Sequence, residues 1–160
     1  ILPISDHHQI SATRLTMGIN YQEIAKCVAS ASKDPRYKIG AIVFDVAGNI
    51  RSTGYNGAPR GVVDSAERYE KPLKDFYVAH AEENAISQAA RVGVQLEGSC
   101  MLVWGKPPCA TCTRLIIQAG IKSIIIQRPD HRPSRWAESF EASRAMLKEA
   151  GIKITYLKDE

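Results

Sequence analysis

The chain has 160 residues, of which 44% are hydrophobic and 24% charged, and its net charge is +4 with His neutral. These proportions are those of an ordinary globular domain. No apolar run approaches the roughly 18 residues that cross a membrane, and residues 1–16 lack the apolar segment of a secretory signal. We therefore expect neither a membrane-spanning nor an exported protein, and we expect the cytoplasm as its compartment. The mild positive charge permits an anionic partner without requiring nucleic acid.

The beginning of the chain differs from the rest, because residues 1–18 show no clear periodicity. We expect them to form a mobile leader, or an extension introduced for expression, outside a single domain at 19–160. From residue 20 onward the apolar spacing predicts helices and strands in alternation. In chain order these are helix 20–32, strands 39–46 and 50–55, helix 80–92, strand 100–104, helix 109–119, strand 123–127, helix 134–150 with Ser134 as its N-cap, and strand 152–157.

The order of these elements predicts the fold class. A turn at Ala47-Gly48-Asn49 joins the first two strands as a hairpin, and helices connect the later strands. Such an order favours an α/β fold, in which helices cover one mixed five-stranded sheet in three α-β-α layers. The strand-helix-strand unit at 100–127 should contribute a parallel pair of strands.

Three side chains have the types and the spacing of metal ligands. Cys109 and Cys112 lie three residues apart at the predicted start of a helix, so both thiols face the same way. Pro108 suits a helix start, and the positive end of the helix dipole favours thiolates. His80 opens another predicted helix. If the two helix starts converge, His80, Cys109 and Cys112 would bind one zinc ion and leave its fourth position open, which indicates catalysis.

A closed structural zinc site with Cys100 as the fourth ligand is the alternative. Cys100 begins a strand, and nine residues at about 3.3 Å each place it up to about 30 Å from Cys109 unless the chain folds back. We expect Cys100, and Cys27 on the apolar face of the first helix, to be small core residues. Glu82, two residues after His80, then fits a proton shuttle between water and substrate better than a fourth ligand.

The motifs His80-Ala81-Glu82 and Pro108-Cys109-Ala110-Thr111-Cys112 match the H-x-E…P-C-x-x-C signature of zinc deaminases. With them, the sequence resembles the cytidine/deoxycytidylate deaminase superfamily over most of residues 20–157. Two further segments are similar to that family: 32–43, which runs from Ser-Lys-Asp-Pro into an apolar strand, and 54–61, which contains Gly-Tyr-Asn-Gly and Pro-Arg-Gly. The Gly-Tyr-Asn-Gly segment favours the deoxycytidylate branch.

The resemblance implies a cytidine-deaminase-like fold and the hydrolysis of dCMP to dUMP and ammonia, which supplies dUMP for thymidylate synthesis. It implies one zinc ion per chain, whose bound hydroxide attacks C4 of the cytosine while Glu82 moves the protons. It also implies a homo-oligomer, often a hexamer, and regulation by dCTP and dTTP, with Mg²⁺ accompanying the triphosphate effector.

The same resemblance suggests residues for the nucleotide. Asn56 would help to hold the sugar or an effector nucleotide, and the backbone around Gly40 and Ala41 would line the base. Tyr55 and Arg60 are further candidates in the same glycine-rich segment.

The phosphate of a nucleotide also needs cationic partners in the protein, and its nucleobase needs an aromatic surface on which to stack. His131 lies in a loop after a predicted strand end, where ligands gather in sheets of this kind. Tyr55 and Trp136 are candidates for stacking, or for ordinary packing, and Trp104 either reshapes the pocket or fills the core. The candidate cations are Lys38, Arg60, Arg68, Lys71, Lys74, His131, Arg132 and Arg135.

Two alternative functions stay open. The substrate of a deaminase could instead be cytidine, cytosine, guanine or a base in a polynucleotide. A polynucleotide deaminase needs a cationic groove, and the net charge of +4 without a dense basic run weighs against it. The other alternative is a zinc-binding module without catalysis, against which Glu82 argues, because a structural site needs no carboxylate there.

Overall fold

A computed structural model describes residues 19–129 and 134–157. The leader predicted for residues 1–18 lies outside the described residues and stays a prediction. The helices within the described part of the chain are too short or too polar for any of them to traverse a lipid bilayer.

The main helices and strands follow the predicted order. A short helix at Lys74–Tyr77 and a 3₁₀ turn at Ala66–Tyr69 lie between the strand predicted at 50–55 and the helix predicted at 80–92. The helices are α1 (Tyr21–Ser30), α2 (Lys74–Tyr77), α3 (Ala81–Val92), α4 (Ala110–Gln118) and α5 (Ala137–Glu149). The strands are β1 (Gly40–Phe44), β2 (Ile50–Tyr55), β3 (Cys100–Trp104), β4 (Ser123–Ile126) and β5 (Lys153–Tyr156).

The five strands form one mixed sheet in the order β2-β1-β3-β4-β5. Strand β1 pairs antiparallel with both β2 and β3. Strands β3, β4 and β5 pair in parallel, so their carboxyl ends lie at the same edge. The predicted hairpin, the mixed sheet and the parallel unit at 100–127 are therefore confirmed.

Helices cover both faces of the sheet and divide the core in two. On one face, called here the α1 face, Tyr21 and Ala25 of α1 pack with Phe44 and Leu102. On the other, the α3 face, side chains of α3, α4 and α5 pack with Val43, Met101, Val103, Ile124 and neighbouring apolar residues. The predicted three-layer α-β-α fold is confirmed, and the α3 face carries the candidate site.

Two local predictions are wrong. Helix α5 begins at Ala137 rather than at Ser134, because the Ser134 carbonyl accepts from the Ala137 N–H at 3.1 Å and its hydroxyl accepts from the Trp136 N–H at 3.2 Å. These bonds close a turn before the helix. Cys27 is exposed rather than in the core, because the buried stripe of α1 follows Tyr21, Ala25 and Ala29 at a spacing of four residues.

Candidate active site

His80 lies immediately before α3 as its N-cap, in extended backbone geometry. Two backbone hydrogen bonds hold the preceding residue: Gly57 N–H to the Ala79 carbonyl at 3.1 Å, and Ala79 N–H to the Gly57 carbonyl at 3.0 Å. The Glu83 carboxylate accepts from the His80 N–H at 3.3 Å. The Gly-Tyr-Asn-Gly segment thus fixes the position at which His80 enters the helix.

Helix α3 packs closely onto β2 because position 54 has no side chain. A Cβ atom at Gly54 would lie 2.3 Å from the Ala81 carbonyl oxygen and 2.4 Å from the Ala85 nitrogen. The Ser52 hydroxyl donates to the Ala85 carbonyl at 2.6 Å, which ties the same two elements together. This close approach places the start of α3 against the sheet.

The start of α4 is held by its own thiol and by α5. Cys109 is the N-cap, and its Sγ accepts from the Cys112 N–H at 3.5 Å. Another N–H of this turn, that of Ala110, donates to the Ser139 hydroxyl at 2.9 Å. Satisfied N–H groups in the first turn stabilise a helix start and fix the direction of the side chains there.

The structure brings His80, Cys109 and Cys112 together at these two helix starts. His80 Nδ1 lies 3.5 Å from Cys109 Sγ and 3.4 Å from Cys112 Sγ, and the three ligand atoms all lie within 4.8 Å of one another. Tetrahedral zinc, with bonds of about 2.3 Å to sulfur and about 2.0–2.1 Å to nitrogen, requires nitrogen and sulfur ligands about 3.5 Å apart. The donor set and its spacing therefore fit a zinc ion.

Cys100 does not join this group. Its side chain packs with the core of the α1 face, on the opposite side of the sheet from α3 and α4. Among the described residues, the metal-compatible group contains three residues and no fourth. Burial raises the pKa of the Cys100 thiol to about 11, as for a neutral core residue. The prediction that Cys100 is a small core residue is confirmed.

The titratable groups of the site influence one another. A hydrogen bond from Cys112, together with that from His80, lowers the pKa of the Cys109 thiol to about 4 despite its burial. The same contact with Cys109, with burial, raises the pKa of Cys112. The contact with Cys109 also raises the pKa of His80. The neighbours of Cys109 therefore favour its thiolate, the form in which a cysteine binds a metal.

Glu82 lies in the first turn of α3 and is only 4% exposed. Burial raises the pKa of its carboxyl to about 7. A buried carboxyl group next to the candidate ligands, with a pKa near neutrality, has the properties of a general acid and base.

The predicted nucleotide residues on β1 face different helices. Gly40 faces α1, where an added Cβ would lie 2.2 Å from the Ala25 carbonyl oxygen. Ala41 lies on the α3 face, buried with Ala81. The exposed Lys38 turns toward the end of α1, where its Nζ donates to the carbonyls of Ser32 and, at 3.5 Å, of Ser30.

In the glycine-rich segment, Asn56 is 5% exposed and binds the loop before β1. It accepts from the Ile39 N–H at 2.8 Å and donates to the Tyr37 carbonyl at 2.9 Å. Tyr55 is exposed, at 43%. Arg60 donates to Gln88, which is eight residues beyond His80 and thus about 12 Å along the axis of α3. His131 and Arg132 lie outside the described residues.

Trp136 is the predicted aromatic residue that the structure places at the site, with its ring centroid 6.1 Å from that of His80 in an edge-on arrangement. Trp104, by contrast, packs with the core of the α1 face, where Lys26 Nζ lies 4.6 Å from its ring centroid. The tryptophan before the Pro-Cys motif therefore packs against the core of the α1 face, on the other side of the sheet from α3.

Sequence reasoning missed Ser139, whose hydroxyl accepts from an N–H group in the first turn of α4. Ser139 reaches the site only because α5 packs on α4, and no local pattern indicates that contact.

Comparison with known proteins agrees with this geometry. Residues 18–128 match the family model of the cytidine and deoxycytidylate deaminase zinc-binding region. The chain is 39% identical over 136 residues to an uncharacterized deaminase from the luxG 3′ region of Aliivibrio fischeri, covering 84% of this chain and 89% of that one. It is 33% identical over 138 residues to deoxycytidylate deaminase of Mus musculus, covering 82% and 74%.

A solved structure gives the same result. The apo dCMP deaminase of cyanophage S-TIM5 superposes with a TM-score of 0.67 at 26% identity, covering 86% of this chain and 94% of that one. A second crystal structure of the phage enzyme contains dCMP and dUMP. On the family match and on these relatives, the chain belongs to the cytidine and deoxycytidylate deaminase family of enzymes.

Proposed function

We propose that this enzyme hydrolyses dCMP to dUMP and ammonia with one zinc ion per chain. The observation that carries the proposal is the convergence of His80, Cys109 and Cys112, with nitrogen–sulfur distances of 3.4 and 3.5 Å, beside the buried Glu82. The substrate is inferred from relatives named deoxycytidylate deaminase and from the phage enzyme solved with dCMP and dUMP.

His80, through Nδ1, and the thiolates of Cys109 and Cys112 would hold the zinc ion. Bound zinc supplies a Lewis acid that makes water more acidic. Three protein ligands leave one position for water, as in other catalytic zinc sites. Both helix starts are fixed by hydrogen bonds from neighbouring elements, which orient the three ligands toward one another.

Glu82 would act on the protons of the reaction. Its carboxylate takes one proton from the attacking water and delivers it to the ring nitrogen N3, as the oxygen bonds to C4. A second transfer, from the hydroxyl at C4 to the exocyclic nitrogen, accompanies cleavage of the C4–N4 bond and releases ammonia. Water and dCMP are thus converted to ammonia and dUMP with no other reactant. A buried carboxyl group with a pKa near 7 is suited both to accepting a proton from water and to donating it to the substrate.

The remaining predicted residues would shape the nucleotide site. Asn56 holds the Tyr37–Ile39 backbone and would thereby position the loop before β1 against the sugar. Ala41, on the α3 face, and Tyr55 would lie beside the base, with Trp136 as the opposite wall. For Gly40, Lys38, Arg60 and His131, a contact with the nucleotide stays a prediction.

Ammonia release from the purified, zinc-loaded chain tests the proposal. The substrates are dCMP, CMP, deoxycytidine, cytosine, guanine and a short single-stranded DNA, each at the same concentration. Preferred turnover of dCMP is expected. If the enzyme released no ammonia from dCMP but did so from another substrate, the proposed substrate would be rejected and the assignment as a deaminase would stand.

Regulation and assembly are separate predictions. Addition of dCTP with Mg²⁺, or of dTTP, to the same assay tests whether a triphosphate activates or inhibits the enzyme. Light scattering of the zinc-loaded protein tests the predicted homo-oligomer. A mass equal to one chain at assay concentration would contradict it.

A further inference from the structure

We infer that Lys106 binds the phosphate group of the nucleotide and so makes the enzyme select nucleotides over nucleosides. The inference rests on the proposed function and names the residue that would recognise its substrate class. The predicted phosphate cations do not include Lys106.

The position of Lys106 is next to the candidate metal ligands. It lies in the loop between β3 and α4, three residues before Cys109, so the two Cα atoms are at most about 11 Å apart. Gly105, with φ of +106°, presses this loop onto the segment before β1, where an added Cβ would lie 2.8 Å from the Lys38 carbonyl oxygen. Lys106 therefore stands where the loops before β1 and before α4 meet.

The ring of Tyr37 holds Lys106 at this place. Lys106 Nζ lies 3.3 Å from the ring centroid, and Lys74 Nζ lies 5.7 Å from the same centroid. Lys74 is neutralised by an ion pair with the fully buried carboxylate of Asp34. No carboxylate lies within ion-pair distance of Lys106 among residues 19–129 and 134–157. Within this described part of the chain, the charge of the partly buried Lys106 is therefore uncompensated.

The other candidate cations of the described residues are committed elsewhere. Lys71 and Arg135 both pair with Asp75, and Arg60 donates to Gln88 along α3. Lys38 donates to carbonyls at the end of α1, and Arg68 donates to the Val63 carbonyl. Each would have to break a polar contact to reach a phosphate. Lys106 would leave only a cation–π contact, which is worth about 0.5–1 kcal/mol at exposed sites.

A phosphate is a suitable partner for such a group. An ammonium group over an aromatic ring has three donors, and those turned away from the ring stay available to a phosphate, which lysine binds as a point charge. A neutral nucleoside offers no charge for Lys106. Removal of the charge should therefore weaken the binding of nucleotides and leave the binding of nucleosides unchanged.

Steady-state kinetics of the zinc-loaded enzyme with dCMP and with deoxycytidine test this. In Lys106→Met, which keeps the apolar stem, kcat/KM for dCMP should fall about 10- to 100-fold, mainly through KM, as for loss of a charged hydrogen bond. For deoxycytidine it should change by less than about 2-fold. Lys106→Arg should recover most of the activity toward dCMP. The matched control is Lys122→Met, at the opposite end of the sheet, where the side chain is 65% exposed.

Calorimetric binding of dUMP and deoxyuridine separates this inference from the proposed function. If the wild type fails to turn over dCMP, the proposed function fails, and a loss of dUMP affinity confined to Lys106→Met would still support the phosphate role. Equal dUMP affinity in the wild type and Lys106→Met overturns the inference. So does a wild type that binds deoxyuridine as tightly as dUMP, or a loss of phosphate discrimination in Arg135→Met alone.

Discussion

Replacement of Gly54 by alanine tests how the fold positions the candidate ligands. The added Cβ would lie 2.3 Å from the Ala81 carbonyl oxygen, whereas ordinary contacts begin at 3.4 Å, so α3 must move away from β2 by about 1 Å. The obstructing atoms, the Ala81 carbonyl oxygen and the Ala85 nitrogen, both belong to the backbone of α3, so no flexible side chain can move aside to relieve the contact. Overpacking of this kind costs about 1–3 kcal/mol, and we expect about 3 kcal/mol here.

The same movement displaces His80 from the thiols of α4, whose present distances of 3.4 and 3.5 Å match tetrahedral zinc. Zinc affinity should fall by about 10- to 100-fold, the range for loss of contacts that orient metal ligands. Urea denaturation and competition with a chelator measure the two effects. The control is Gly151→Ala, where φ is +68° and the added Cβ meets nothing within 4 Å. It should cost about 1–2 kcal/mol and leave zinc affinity unchanged.

If Gly54→Ala unfolds within about 0.5 kcal/mol of the wild type and keeps its zinc affinity, the close approach of α3 is not what sets the site.

Two further predictions concern the metal and a buried ion pair. Cys109→Ala should lose bound zinc and become less stable to heat, because metal binding and folding are linked. Elemental analysis measures the zinc content, and calorimetry measures the thermal stability. A full zinc content in the variant would contradict the ligand assignment. Burial opposes ionisation of Asp34, but hydrogen bonds from Lys74 and from two backbone N–H groups hold the pKa of its carboxyl below its usual 3.8. A lowered pKa stabilises the fold above pH 3.8, and this stabilisation disappears as the pH falls through the native pKa. Asp34→Asn should therefore flatten the acid limb of the stability–pH curve and cost about 3–5 kcal/mol near neutrality. An unchanged curve would refute the role of the pair.

Much of the fold and the three candidate ligands could be predicted from local patterns. Apolar runs between turn residues give the strands of the hairpin and of the parallel unit. His80, Cys109 and Cys112 are predictable because each lies in the first turn of a helix or at its cap, where spacing fixes direction.

The remaining features depend on contacts between distant segments. Ser139 satisfies the start of α4, and Tyr37 holds Lys106 from a loop 69 positions earlier in the chain. Arg60 belongs to the glycine-rich segment, but its side chain lies along α3, because Gln88 offers it an acceptor. The start of α5 differs from the prediction because the bonds of Ser134 close a turn, which the local sequence does not distinguish from an N-cap.

The most direct test of the central claim compares the zinc-loaded wild type with Glu82→Gln. Conversion of dCMP to dUMP and the zinc content per chain are measured on the same samples. We predict turnover by the wild type, one zinc ion per chain in both proteins, and a rate at least about 100-fold lower in Glu82→Gln. Turnover by Glu82→Gln within a few-fold of the wild type would contradict the assignment of Glu82, and a zinc-loaded wild type that leaves dCMP unchanged would contradict the proposed reaction.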